Sequence, residues 1–160
     1  MASIDALYTE KTILVSADPA VLYDMITDVT RMGEWSPVCK SCWWDDGQAP
    51  KVGSWFTGHN VLEERQWDTR CEVVTATRPR EFAWIVGGKE EGYVRWGYRF
   101  VPSGDKTSVT ESWRVLRQTE RIAAMDNADV PAYVERTERG IEETLENLKR
   151  VAEAAPVLPS

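Results

Sequence analysis

The spacing of apolar positions changes along the chain. Residues 10–16 (EKTILVS) are short and β-rich, the pattern of a first strand. Val21, Leu22, Met25, Ile26 and Val29 then follow at helical spacing, behind Asp18 as N-cap and Pro19 at the first helical position. A further short helical turn fits 32–35. It is stopped at Ser36-Pro37, because Pro disfavours helical geometry in the residue before it. From 38 to 116 the text becomes extended, with segments at about 38–45, 52–63, 66–76, 81–87, 92–101 and 106–116. Turn signals separate them: Asp45-Asp46-Gly47, Glu63-Glu64-Arg65, Arg78-Pro79-Arg80, Gly87-Gly88 and Ser103-Gly104-Asp105. Connections this short make consecutive strands antiparallel neighbours. Segment 117–130 has no clear period. Pro131 then opens a long helical pattern, with Val134, Ile141, Leu145, Leu148 and Val151 along one side to about Ala155.

This order predicts an α+β layer arrangement: a seven-stranded antiparallel sheet, two short helices between its first two strands, and a long C-terminal helix as the only element large enough to cover a face. No linker, repeat or low-complexity run interrupts the chain. One domain is expected over 1–160, with its core at about 8–153 and a short tail.

Alternation within the strands sorts the aromatic residues. Trp67, Thr69, Cys71 and Val73 share one face of their segment, as do Phe82, Trp84 and Val86 of theirs. Val94, Trp96, Tyr98 and Phe100 alternate with Arg95, Gly97 and Arg99, and Val109, Glu111, Trp113 and Val115 alternate with Thr110, Ser112 and Arg114. In 52–63 two registers compete; the one with Phe56 and Asn60 inward is preferred, which turns His59 outward.

The aromatic faces must meet the helix. They carry polar groups that a dry core would not choose (Asn60, Thr69, Tyr98, Glu111), and an unpaired buried polar group costs about 1–3 kcal/mol. Gly140 sits inside the long helix at a cost of about 1 kcal/mol relative to Ala. Two readings follow: close packing of helix on sheet, or a partly polar, ligand-sized space of roughly 300–1,000 Å³. The second would be lined by Phe56, Asn60, Trp67, Thr69, Phe82, Trp84, Trp96, Tyr98, Glu111 and Trp113, with Val134, Ile141 and Leu145 from the helix. Segment 117–130 would then lie at its mouth, as a short helix or loop acting as a gate.

Eight tryptophans in 160 residues are more than a generic core needs, since each brings an N–H that wants a partner. With 19 basic and 26 acidic residues the net charge is −7, which argues against nucleic acid and anionic membrane surfaces. No basic-then-apolar leader and no apolar run of about 20 residues is present, so no integral membrane association is expected. The odd count of three Cys suits reduced thiols and a cytoplasmic location. Cys39 and Cys42 form a C-x-x-C, but on a regular strand they would point to opposite faces, and no second pair or nearby His accompanies them. His59 is the one histidine. No metal and no cofactor is expected; a monomer or homodimer is.

No G-x-S-x-G, Walker loop or G-x-G-x-x-G follows a strand. The candidates for acid/base chemistry are Glu111, whose pKa desolvation would raise, and Tyr98, although the preferred reading of Glu111 is a carboxylate satisfied by Arg, Tyr or Trp donors within a hydrogen-bond network.

Several stretches resemble the polyketide cyclase/dehydrase-like branch of the START/birch-pollen-allergen-like (SRPBCC) superfamily. They are 31–37 (RMGEWSP), 52–60 (VGSWFTGHN), 67–73, 82–84 (FAW), 96–100 (WGYRF) and 110–113 (TESW). The resemblance runs over about 8–153 and implies the helix-grip fold, a curved sheet wrapped around a long C-terminal helix. It implies three functions: binding of a lipid-like or aromatic polyketide-like molecule between sheet and helix; a cofactor-free, aromatase-like cyclase or dehydratase in the same space; or a toxin-like protein that docks a partner. The cyclases share no fixed motif that would place a residue of this chain in a chemical role.

Overall fold

The computed structural model describes residues 3–47 and 49–154. Seven strands, β1 (Tyr8–Val15), β2 (Cys39–Trp44), β3 (Trp55–Leu62), β4 (Arg65–Thr77), β5 (Glu81–Val86), β6 (Val94–Ser103) and β7 (Lys106–Val115), form one antiparallel sheet. Its order is β1-β7-β6-β5-β4-β3-β2, so the chain runs as a meander from β2 to β7 and closes with β1 beside β7. Helix α1 (Pro19–Thr27) and a 3₁₀ turn (Val29–Glu34) lie between β1 and β2; α2 (Glu120–Ala123) and α3 (Val130–Ala154) follow β7. This is the expected α+β helix-grip arrangement.

Boundaries moved where local backbone needs were missed. β1 begins at Tyr8, two residues earlier than its β-rich text. β3 begins at Trp55, because the chain turns through Gly53 at φ 92°. Asp18 occupies the N-cap position of α1 without a side-chain bond, and Pro19 starts the helix. Segment 117–130 holds α2 and a 3₁₀ turn (Asn127–Asp129).

Helix α3 lies chiefly along β1. The Thr9 hydroxyl donates to Glu138 at 2.9 Å, and the Ser16 amide donates to Glu153 at 2.8 Å. Seven strand steps and fifteen helical steps both span about 23 Å, so strand and helix run side by side in register. Between those points Lys11 lies 3.6 Å from Glu138 and 3.7 Å from Glu142. Ile141, Leu145, Leu148 and Ala152 turn into the core, and Val134 packs half-buried against it.

The cysteine expectation needs correction. A register shift between Cys39 and Ser41 inserts a β-bulge into β2, so Cys39 pairs with Asn60 and Cys42 with Gly58. Both thiols are buried on the same face, where each perturbs the other's ionisation, and the Cys39 thiol donates to the Ser41 carbonyl at 3.4 Å. A bulge adds one residue to the period, which defeats the alternation argument. Gly33 is required beside this bulge: a Cβ there would stand 2.6 Å from the Lys40 carbonyl oxygen.

Candidate functional site

Strand register assembles the concave face in rows. Trp113, Trp96 and Trp84 stand opposite one another on β7, β6 and β5, and Val73 of β4 continues the row. The next row holds Glu111, Tyr98 and Phe82. On the other side come Val115, Val94, Val86, Cys71 and Phe56, then Thr69 with Gly58, and Trp67 with Asn60. The inward register of β3 is therefore the Phe56/Asn60 one, and His59 faces outward, 2.7 Å from Asp68.

The two ends of this face differ. Under α1, Phe82, Phe100 and Val109 are almost fully buried, and Tyr23 meets Phe82 and Phe100 edge-on at 6.3 and 6.1 Å. That end is dry core. Toward α2, Trp67 and Thr69 are only half-buried, although they point inward. So is Trp96, which sits between Trp84 at 7% and Trp113 at 3% exposure. Trp96 is thus the one indole of this row that keeps appreciable accessible surface. On the helix side, a Cβ at Gly140 would meet nothing within 4 Å, which removes close packing as the reason for that glycine. The neighbouring Thr137 and Thr144 turn their hydroxyls back onto the helix carbonyls of Tyr133 and Gly140.

Glu111 is the unusual polar group. It is 5% exposed, and its Oε1 has no hydrogen-bond partner. Burial pushes its pKa up to about 8, against a weaker downward pull from the hydrogen bond of Tyr98. Burial also raises the Tyr98 phenol well above its ordinary range, helped by the adjacent Glu111 charge. At neutral pH the pair is therefore mostly protonated. A carboxyl in this state can donate or accept a hydrogen bond, and can exchange a proton close to neutrality. Lys11, its register partner on β1, reaches instead to Glu138 and Glu142. Asn60 is committed within the protein, since its amide donates to Thr69 Oγ1 at 3.1 Å and to the Trp67 carbonyl at 3.3 Å.

Two open depressions lie at the half-buried end. One, of about 500 Å³, is bounded by Arg121 and Met125, by Asp129, and by Tyr133, Arg136 and Arg139 of α3. The other, of about 530 Å³, is bounded by Glu64, Arg65, Gln66 and Trp67 of the β3–β4 hairpin and again by Arg121. The Tyr133 ring packs on Trp113 at 5.6 Å and 34°, so it joins the first depression to the tryptophan row. Of the predicted lining residues, Trp67 reaches a depression; Phe56, Asn60, Phe82, Trp84, Tyr98, Glu111, Trp113, Ile141 and Leu145 are buried and Thr69, Trp96 and Val134 half-buried, and none of these borders either depression. Sequence reasoning placed 117–130 at this mouth but missed Arg65, Arg121, Tyr133 and Arg136. The available signal was the Tyr133–Arg136 spacing, which puts both on one helix face.

Among the described residues no group of His, Cys, Asp and Glu is arranged to hold a metal, and no helix is long and apolar enough to cross a membrane.

Comparison with known proteins agrees with this architecture. Residues 8–153 match the family described as polyketide cyclase/dehydrase and lipid transport. No curated protein matches the chain. A polyketide-cyclase-like protein of Corynebacterium glutamicum, solved by NMR in solution, is 37% identical over 92% of this chain and 91% of its own, with a TM-score of 0.66. A START superfamily protein of Mycobacterium smegmatis is 15% identical over 93% of this chain and 99% of its own, with a TM-score of 0.70. The di-domain ARO/CYC of the steffimycin biosynthetic pathway aligns with 91% of this chain over 50% of its own length, at 12% identity and a TM-score of 0.73. The last two show the fold alone. By its sequence match and its sheet-and-helix architecture, the chain belongs to the polyketide cyclase/dehydrase and lipid transport family.

Proposed function

We propose that this protein binds an apolar small molecule, lipid-like or aromatic, against the tryptophan row between its sheet and α3. The observation that carries the reading is the half-buried Trp96, flanked by two buried indoles and one row from the partnerless Glu111 oxygen. Aromatic faces supply area and dispersion, and one convergent polar group orients the ligand. A ligand donor or acceptor next to Glu111 Oε1 would satisfy a buried atom that otherwise raises the free energy of the fold. The open space beside Gly140 supports the same reading.

A second reading rests on Glu111 and Tyr98 themselves. A carboxyl with a pKa of about 8 beside a phenol, in an aromatic wall, has the groups needed for cofactor-free proton transfer in a cyclisation or dehydration.

Native mass spectrometry of protein purified from its own organism tests the binding reading: a retained small mass that quenches tryptophan fluorescence on rebinding supports it. A protein partner retained in place of a small molecule favours the partner-docking alternative. Turnover of an aromatic polyketide mimic, abolished by Glu111→Gln while affinity holds, would select the enzyme.

A further inference from the structure

The mouth carries an electrostatic feature that an apolar ligand alone does not require. Arg65, Arg121, Arg136 and Arg139 border the two depressions, and the acidic residues on the same borders are Glu64 and Asp129. The whole chain has a net charge of −7, so this is a local reversal. Elsewhere Arg31 meets Glu34, Arg70 meets Asp45, Arg78 meets Asp24 and Arg99 meets Glu10, while Arg117 donates to the Glu90 carbonyl and Arg150 to Asn147. At the mouth Arg139 lies 4.0 Å from Glu135, whereas Arg65, Arg121 and Arg136 have no carboxylate within that reach among the described residues.

These three rest on rings instead. Arg121 and Arg136 lie 5.5 and 5.6 Å from the centre of the same Tyr133 ring, and Arg65 lies 4.7 Å from that of Trp67. The ring contacts hold the guanidinium groups in place and leave their N–H edges available. Two guanidinium groups gathered on one phenol repel each other, and an anion between them would remove that repulsion. A planar guanidinium also matches a carboxylate or phosphate through two parallel hydrogen bonds.

We propose that the ligand is an amphipathic acid: an apolar body lies along the tryptophan row, and a carboxylate or phosphate at its end is held at the mouth by Arg121 and Arg136, with Arg65 on the facing hairpin. Tyr133 is the joint between the two parts, since both arginines lie within 5.6 Å of its ring centre and the same ring packs on Trp113. The proposal rests on the binding reading given above and specifies its ligand class.

The test uses two fluorescent probes with the same rings, neutral N-phenyl-1-naphthylamine and its sulfonate, 8-anilino-1-naphthalenesulfonate. Wild type should bind both, and the sulfonate about tenfold or more tighter at low salt, with that advantage shrinking as salt rises. Arg121→Gln with Arg136→Gln should remove the advantage and leave the neutral probe unchanged; both positions are exposed, and thermal melting checks that the variant is folded. Dodecanoate and dodecyl phosphate as competitors distinguish a carboxylate from a phosphate head, and dodecanol should compete more weakly than either. If the neutral probe binds but the sulfonate binds no tighter, or if the double variant weakens both probes alike, the anionic-head proposal is wrong and the binding reading stands. If neither probe binds, the binding reading falls with it. Sedimentation with phosphatidylglycerol vesicles, lost in the double variant, would instead assign the arginines to a membrane surface and overturn the proposal.

Discussion

Tyr98 and Glu111 face each other across β6 and β7, one row from the Trp96–Trp113 pair, and each hydroxyl or carboxyl is the other's buried polar neighbour. The pair has little contact with water, so the ionisation of one member is felt by the other and by the fold.

The pH dependence of stability follows from that burial. Glu111 has a folded pKa of about 8 against an ordinary 4.5, so it holds its proton more tightly folded than unfolded. Its contribution to stability is complete below its unfolded pKa and is lost as pH rises through the folded one. Within that window the loss is about 1.4 kcal/mol per pH unit. Glu111→Gln should therefore flatten the stability profile between pH 5 and pH 8 and exceed wild type at the upper end. Urea unfolding of both proteins at several pH values measures this; parallel profiles would refute it. His59, raised by Asp68, slopes the same way in both proteins and cancels in the comparison.

Tyr98→Phe should act on the same carboxyl from the other side. The hydrogen bond that lowers the Glu111 pKa is removed, so the carboxyl should titrate higher than in wild type. Stability should fall by about 1–3 kcal/mol, the range for a buried polar group left unpaired. Carbon-13 NMR of labelled glutamate side chains reads the titration, and an unchanged Glu111 midpoint would show that the phenol does not reach it.

The three thiols should react in a defined order. Burial pushes Cys71 up to about 12, the neighbouring Cys39 thiol together with burial raises Cys42, and the Cys42 thiol lowers Cys39. Thiolate is the reactive form. Timed iodoacetamide labelling at pH 8 with mass spectrometry should find Cys39 modified before either Cys42 or Cys71, and equal rates in denaturant. Equal rates in the native protein would contradict the thiol pairing.

Two glycines should respond to alanine with opposite signs. At Gly140 the added methyl meets nothing within 4 Å, so the helix gains about 0.5–1 kcal/mol. At Gly33 the methyl would stand 2.6 Å from the Lys40 carbonyl oxygen, and the resulting backbone shift should lower stability by about 1–3 kcal/mol. Thermal melting of both variants checks the contrast.

The sheet was legible because its alternation is strict where it matters. Val94 to Phe100 and Val109 to Val115 keep a two-residue period without interruption, and the pairs Trp96–Trp113 and Tyr98–Glu111 follow from it. The thiol pair was not legible, since the bulge at Lys40 changes which residues share a face without leaving a compositional mark. Nor was the arginine mouth: Arg65, Arg121 and Arg136 come from three elements, and the turn geometry that gathers them is set by tertiary packing. The inward face was readable along each strand, whereas the rim depends on contacts between residues distant in sequence.

The crowding of Gly33 against Lys40 also bears on how copies of this chain meet. β2 is an outermost strand, and an outermost strand is a template on which another chain can add its own. Here it is six residues long, broken by a bulge, and pressed by the preceding 3₁₀ turn at the carbonyl of its second residue. At the opposite margin, α3 occupies backbone groups at the end of β1, where Lys149 binds the Leu14 carbonyl and Glu153 the Ser16 amide. Both margins of the sheet thus resist the strand-by-strand addition of further copies of the chain.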